Sequence, residues 1–144
     1  MRVLKFNFHT IKDECVDTFV SFGVFSFDCP KEKITELMGV EPTKSWNKGD
    51  VGEYVKKMPI SGWQLYSPLG RGNFRLHDHI ESLLPILENK ASVIVGFSSI
   101  YNIGIACGGY FTSDSRPAFH LSSEIIMRLA KLNLSVDFDL YVNE

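Results

Sequence analysis

The chain has 144 residues, of which 44% are hydrophobic and 22% charged, and its net charge is −2. This is the composition of one ordinary globular domain spanning 1–144, and it excludes a disordered tail, a collagen-like fibre and a disulfide-stapled mini-protein. No apolar run approaches the roughly 20 residues of a membrane span, the N-terminus lacks the apolar core of a secretion signal, and the mildly acidic charge argues against a basic nucleic-acid binder.

The first segment alternates. Leu4, Phe6 and Phe8 point one way, Lys5, Asn7 and His9 the other, which predicts a half-buried strand over 2–9. A second strand is predicted over 16–27. Val20, Phe22 and Val24 share one face, with Phe19, Phe25 and Phe27 on the other, so the strand is central and covered on both sides, or bulged near Gly23. Asp28-Cys29-Pro30 then opens a helix with Ile34, Leu37 and Met38 at helical spacing, stopped by Gly39 and Pro42.

Residues 41–61 read as a loop long enough to suggest a binding role. A short strand is predicted over 61–67 around Trp63. Leu76, Ile80, Leu83, Leu84 and Leu87 form the stripe of a second helix, which Pro85 kinks or ends and Asn89 stops. Two strands are expected next, over 91–100 and 103–112, joined by a hairpin turn at Tyr101-Asn102. Ser122 caps a third helix that Asn133 closes. The last strand alternates most cleanly, with Leu134, Val136, Phe138, Leu140 and Val142 against Ser135, Asp137, Asp139, Tyr141 and Asn143. The order β-β-α-β-α-β-β-α-β predicts an α+β fold, a largely antiparallel sheet with helices packed on one face.

Three cysteines, Cys15, Cys29 and Cys107, make an odd count with no Cys-x-x-Cys pair, which fits reduced thiols in the cytosol. No nucleophile elbow, phosphate loop or dinucleotide fingerprint occurs. His77 and His79 are two apart, so on a helix they diverge and cannot share one ion. The expectation is no catalytic residues, no metal and no cofactor.

Two groups of residues stand out as binding candidates. Asp137 and Asp139 lie about 7 Å apart on one face of a strand, as a solvated surface, an acidic contact for a basic partner, a metal site or an acid/base pair; Asp13, Glu14 and Asp17 are a secondary acidic group. Residues 42–75 are locally basic, with Lys44, Lys48, Lys56, Lys57, Arg71 and Arg75 against Asp50 and Glu53, and carry interleaved aromatics. Trp46, Lys48, Trp63 and His79 are the candidate lining of a ligand or peptide pocket beside the long loop.

The ordered set of a helix closing in Gly39-Val40-Glu41-Pro42-Thr43, the Lys48-Gly49 loop, the strand around Trp63, the helix from His79 to Leu87 and the segment from Leu121 to Tyr141 resembles the bacterial domain-of-unknown-function family 4279 over roughly residues 16–142. The resemblance implies a small cytosolic α+β domain without established catalytic residues. Solitary bacterial domains of this size often act as immunity proteins. By that analogy the expected function is a non-enzymatic cytosolic immunity protein, which binds one-to-one to a contact-dependent or polymorphic toxin, such as a nuclease. The expected partner is therefore a toxin domain rather than a membrane or a nucleic acid.

Overall fold

Nine elements build the fold in a computed structural model, which describes residues 17–72, 75–114 and 119–143. In chain order they are β1 (Asp17–Phe25), α1 (Lys31–Met38), β2 (Lys44–Trp46), β3 (Gly62–Tyr66), α2 (Leu76–Glu88), α3 (Ala91–Ser98), β4 (Asn102–Thr112), α4 (Ser123–Lys131) and β5 (Val136–Asn143). The strand predicted over 2–9 lies outside the described residues.

The five strands form one mixed sheet in the order β2-β3-β1-β4-β5. Three neighbouring pairs are antiparallel, and β4 with β5 is parallel. β1 is central, between β3 and β4, but the described helices cover only one of its two apolar faces, not both as expected. Its register runs unbroken through Gly23, opposite Gln64 on one side and Gly104 on the other, so there is no bulge. Val20, Phe22 and Val24 of β1, Trp63 of β3, and Ile105 and Cys107 of β4 point to the helix-covered face. There they meet Ile34 and Met38 of α1, the leucine stripe of α2, Ile94 and Phe97 of α3, and Ile125 and Leu129 of α4 in one core. The chain is thus a two-layer α+β unit.

The helix stops follow from local chemistry. Gly39 at φ 71° and Asn133 at φ 59° both turn left-handed. The Ser122 hydroxyl accepts from the Ile125 N–H at 3.2 Å. α2 continues through Pro85 to Glu88, with Asn89 as its C-cap.

The strand predicted over 91–100 is overturned. Residues 91–100 are not a strand: Ala91–Ser98 is α3, and no hairpin exists at Tyr101-Asn102. The run Val93-Ile94-Val95 favours strands locally, but β4 is already flanked by β1 and β5, so the sheet has no slot beside it. As a helix the segment buries Ile94 and Phe97, three apart on one stripe. Tyr101 then closes the turn, its N–H donating to Phe97 O at 2.7 Å and its ring packing on Phe97 and Phe27. The three-residue strand β2 lies inside the segment read as loop.

Candidate functional site

The helix-free face of the sheet carries the features that point to binding. Alternation from the core residues puts Asp17, Phe19, Ser21, Gly23 and Phe25 of β1 on this face. The register aligns with them Gln64 and Tyr66 of β3, Lys44 and Trp46 of β2, Gly108 and Tyr110 of β4, and Asp137, Asp139 and Tyr141 of β5. No described helix covers it. Instead, aromatic rings of the sheet itself lie across its glycines. Phe25 covers Gly23, Trp46 covers Gly62 and Phe19 covers Gly108, each so closely that a Cβ on the glycine would meet the ring. Phe25 and Trp46 pack with centroids 6.4 Å apart, and Tyr110 stacks on Tyr141 at 5.3 Å.

Charge is distributed unevenly across this face. The Arg71 guanidinium grips the Asp17 carboxylate through two hydrogen bonds and sits 4.7 Å from the Phe19 ring centre. The Asp17 carboxylate holds Arg71 above its ordinary pKa. Lys44 lies 5.9 Å from the Tyr66 ring centre. At the β5 end, Asp137 and Asp139 are exposed and, among the described residues, neither has an ion-pair partner. The Tyr141 hydroxyl bonds to Asp139, whose negative charge raises the phenol pKa. The face is therefore acidic at β5 and basic at β2.

The loop 47–61 folds back beside β2 and is braced by its own backbone. Gly49 N–H donates to Met58 O and Met58 N–H to Asp50 O, both at 2.8 Å, and the Trp46 indole donates to Ile60 O at 2.8 Å. Gly49 sits at φ 89°, a conformation that L side chains rarely adopt. A groove of about 400 Å³ results, lined by Lys44, Trp46, Val51, Tyr54, Met58 and Gln64. Val51 and Tyr54 at the loop tip are 88% and 89% exposed.

The sequence-derived candidates fall into place unevenly. Asp17, Asp137 and Asp139 share the helix-free face, while Asp13 and Glu14 lie outside the described residues. Trp46, Lys48, Trp63 and His79 do not line one pocket. Trp46 pairs with Gly62, one residue short of Trp63, so the two indoles point to opposite sides of the sheet. Trp63 is buried against Phe22 and donates to Thr35 Oγ1 of α1 at 2.9 Å. Lys48 lines a separate open cavity of about 660 Å³ with Ser26, Asp28, Cys29, Asn47 and Ser61.

His79 is fully buried. Its Nδ1 lies 2.8 Å from Ser67 Oγ and its Nε2 3.3 Å from Thr18 Oγ1. Ser67 Oγ also accepts from Leu69 N–H and bonds Ser82 Oγ. The network joins α2 to β1 and to the end of β3, as buried polar groups must be joined. Burial pushes the Cys107 thiol up to about 12, which keeps it protonated at neutral pH. Among the described residues, no group of three or more His, Cys, Asp or Glu side chains is placed to hold a metal ion.

Sequence reasoning missed the groove under the loop, the Tyr110–Tyr141 stack and the Arg71–Asp17–Phe19 cluster. The odd-numbered aromatics of β1 hinted at the face. The partners come from separate elements, such as Arg71, 54 positions from Asp17, and carry no local signal.

Residues 13–143 match the family described as Domain of unknown function (DUF4279). The chain belongs to this family. No curated protein and no solved structure matches it. Among the described residues, no helix of this DUF4279 domain is long and apolar enough to cross a membrane.

Proposed function

We propose that this DUF4279 domain is a non-enzymatic binding protein that holds a basic protein partner against the helix-free face of its sheet. The observation that supports this most is the pairing of exposed Asp137 and Asp139, which have no ion pair among the described residues, with the Tyr110–Tyr141 stack. Carboxylates beside rigid aromatic rings suit an oriented interface, in which charge steers the encounter and the rings supply buried area. The most concrete form of the reading is a cytosolic immunity protein that binds a toxin domain one-to-one and blocks its active site or its access to a target. Basic nucleases are the toxin class that an acidic face would steer in.

The test is a pull-down and calorimetric titration against the C-terminal segment encoded by the neighbouring upstream reading frame. A dedicated partner binds in the nanomolar range, about −12 kcal/mol, and the double variant D137A/D139A loses at least tenfold in affinity while its unfolding midpoint stays put. Unchanged affinity in that variant sinks the acidic-face reading.

A second reading is favoured by the groove under the loop. Lys44, Trp46 and Tyr54 flank an open apolar channel suited to a short peptide or small aromatic ligand. It lies at the β2 end of the same face, so W46A separates the two readings: it abolishes peptide or ligand binding and leaves the acidic contact intact.

A further inference from the structure

The two edges of the sheet are finished differently. β2 is three residues long, follows Pro42 and is flanked by the braced loop 47–61. Short length, proline and a covering loop are the usual means of keeping an edge from pairing with another chain. β5 has none of these among the described residues. It is eight residues long, contains no proline or lysine, and keeps an unbroken register with β4 from Ile105↔Val136 to Thr112↔Asn143. No described strand pairs with its other side.

The backbone groups on that free side can be assigned. Ile105 N–H donates to Ser135 O at 2.9 Å, so the odd-numbered residues of β5 turn their N–H and C=O toward β4. Val136, Phe138, Leu140 and Val142 therefore present theirs to the open edge. Two of their side chains are also incompletely covered. Phe138 is 44% exposed, with Phe119 stacked on it at 5.5 Å, and Val142 is 56% exposed.

We propose that the chain forms a twofold dimer through antiparallel pairing of β5 with β5 of a second copy, with Leu140 on the axis. The sequence of β5 selects both the partner and the register. With Leu140 opposite its own copy, Phe138 meets Val142 of the other chain on the helix side, twice by symmetry. Asp139 meets Tyr141 on the open side, again twice, and no aspartate faces an aspartate. The three edge-facing pairs 138–142, 140–140 and 142–138 exchange six backbone hydrogen bonds. Slipping the register by two residues toward the N-terminus sets Asp139 against Asp139, and by four sets Asp137 against Asp139. Like charges directly opposite on a closely spaced pair are destabilising. Slipping two residues the other way sets Phe138 against Glu144, past the end of β5. The ten described strands then form one sheet with the described helices on one side.

The pairing does not depend on what binds the open face, so its test stands apart from that reading. Light scattering behind size exclusion at high micromolar concentration reads twice 16.3 kDa for the full chain, and a monomer overturns the proposal, including the case in which another segment of the same chain occupies the edge. Tyr141→Asp, an exposed change that spares the core, weakens dimerisation roughly tenfold because it opposes Asp139 at two symmetry-related places; an unchanged dimer overturns the register. Cysteine pairs give a second readout. Closely spaced antiparallel partners have Cα atoms about 4.5 Å apart, within disulfide reach. D139C alone and Y141C alone stay uncrosslinked on oxidation, and their mixture forms a disulfide-linked dimer. Self-crosslinking of either single variant without the mixed product overturns the register.

Discussion

The two faces of the sheet solve the same packing problem by different means. On the covered face, β1 offers Val20, Phe22 and Val24, and four helices bury them under aliphatic side chains. On the open face, Phe19 and Phe25 of the same strand lie back over glycines of their own sheet, and Trp46 does so from β2. The first arrangement needs another layer and yields stability. The second needs only glycine beneath the ring, and leaves the polar neighbours of the rings free to meet a partner. The difference teaches that an aromatic residue in a strand does not by itself imply a second covering layer.

The contrast breaks most visibly at Trp63. W63A empties a fully buried indole site and deletes the bond to Thr35, for an expected loss of about 3–5 kcal/mol by urea unfolding. Adjacent glycines sharpen it further. A Cβ at Gly109, on the covered face, meets Asp17 O at 2.6 Å and the Phe111 ring at 2.7 Å, and neither can move aside. At Gly108 the nearest atoms all belong to the Phe19 ring, a side chain that can swing out toward the open side. G109A is expected to cost about 3 kcal/mol and G108A about 1 kcal/mol, and equal costs would mean that the open face is packed as firmly as the covered one.

A smaller effect separates the helix layer from the open face by pH. Arg128 of α4 donates to both oxygens of Glu88 of α2, at 2.8 and 2.7 Å, and this pairing lowers the carboxyl pKa. A carboxyl lowered on folding adds stability that is complete above its unfolded pKa and disappears as pH falls through the folded value. Both side chains are partly exposed, so screening limits the contribution to about 0.5–1 kcal/mol. E88Q loses it at neutral pH and matches the parent chain in acid, which thermal melts across the acid range would check. The smallest expected effect lies on the open face. D139N leaves the unfolding midpoint in place and lets the Tyr141 phenol titrate lower, toward its ordinary value, in a phenolate absorbance titration. A fall in stability there would place Asp139 among the structural groups.

Most elements were legible where one period dominated. The stripe of α2, the alternation of β5, the cap at Ser122 and the left-handed stops at Gly39 and Asn133 are local chemistry, and local chemistry is written in adjacent residues. The α+β class followed from the order of those elements, and the match to the family over 13–143 agrees with the ordered motifs. The candidate site was half legible. Alternation correctly set Asp137 and Asp139 on one exposed face, but nothing local joined them to Asp17, Tyr110 or Trp46.

What only the tertiary structure decided was competition for space and the company each residue keeps. Val93-Ile94-Val95 became part of α3 because β1 and β5 occupy both sides of β4, a fact no eight-residue window contains. Trp46 and Trp63 parted to opposite faces because β2 pairs with β3 in one register and not the next. The sequence by itself determined periods, caps and charges, which act over a few residues. Register and strand order act over the whole chain, and they decide which of those residues meet.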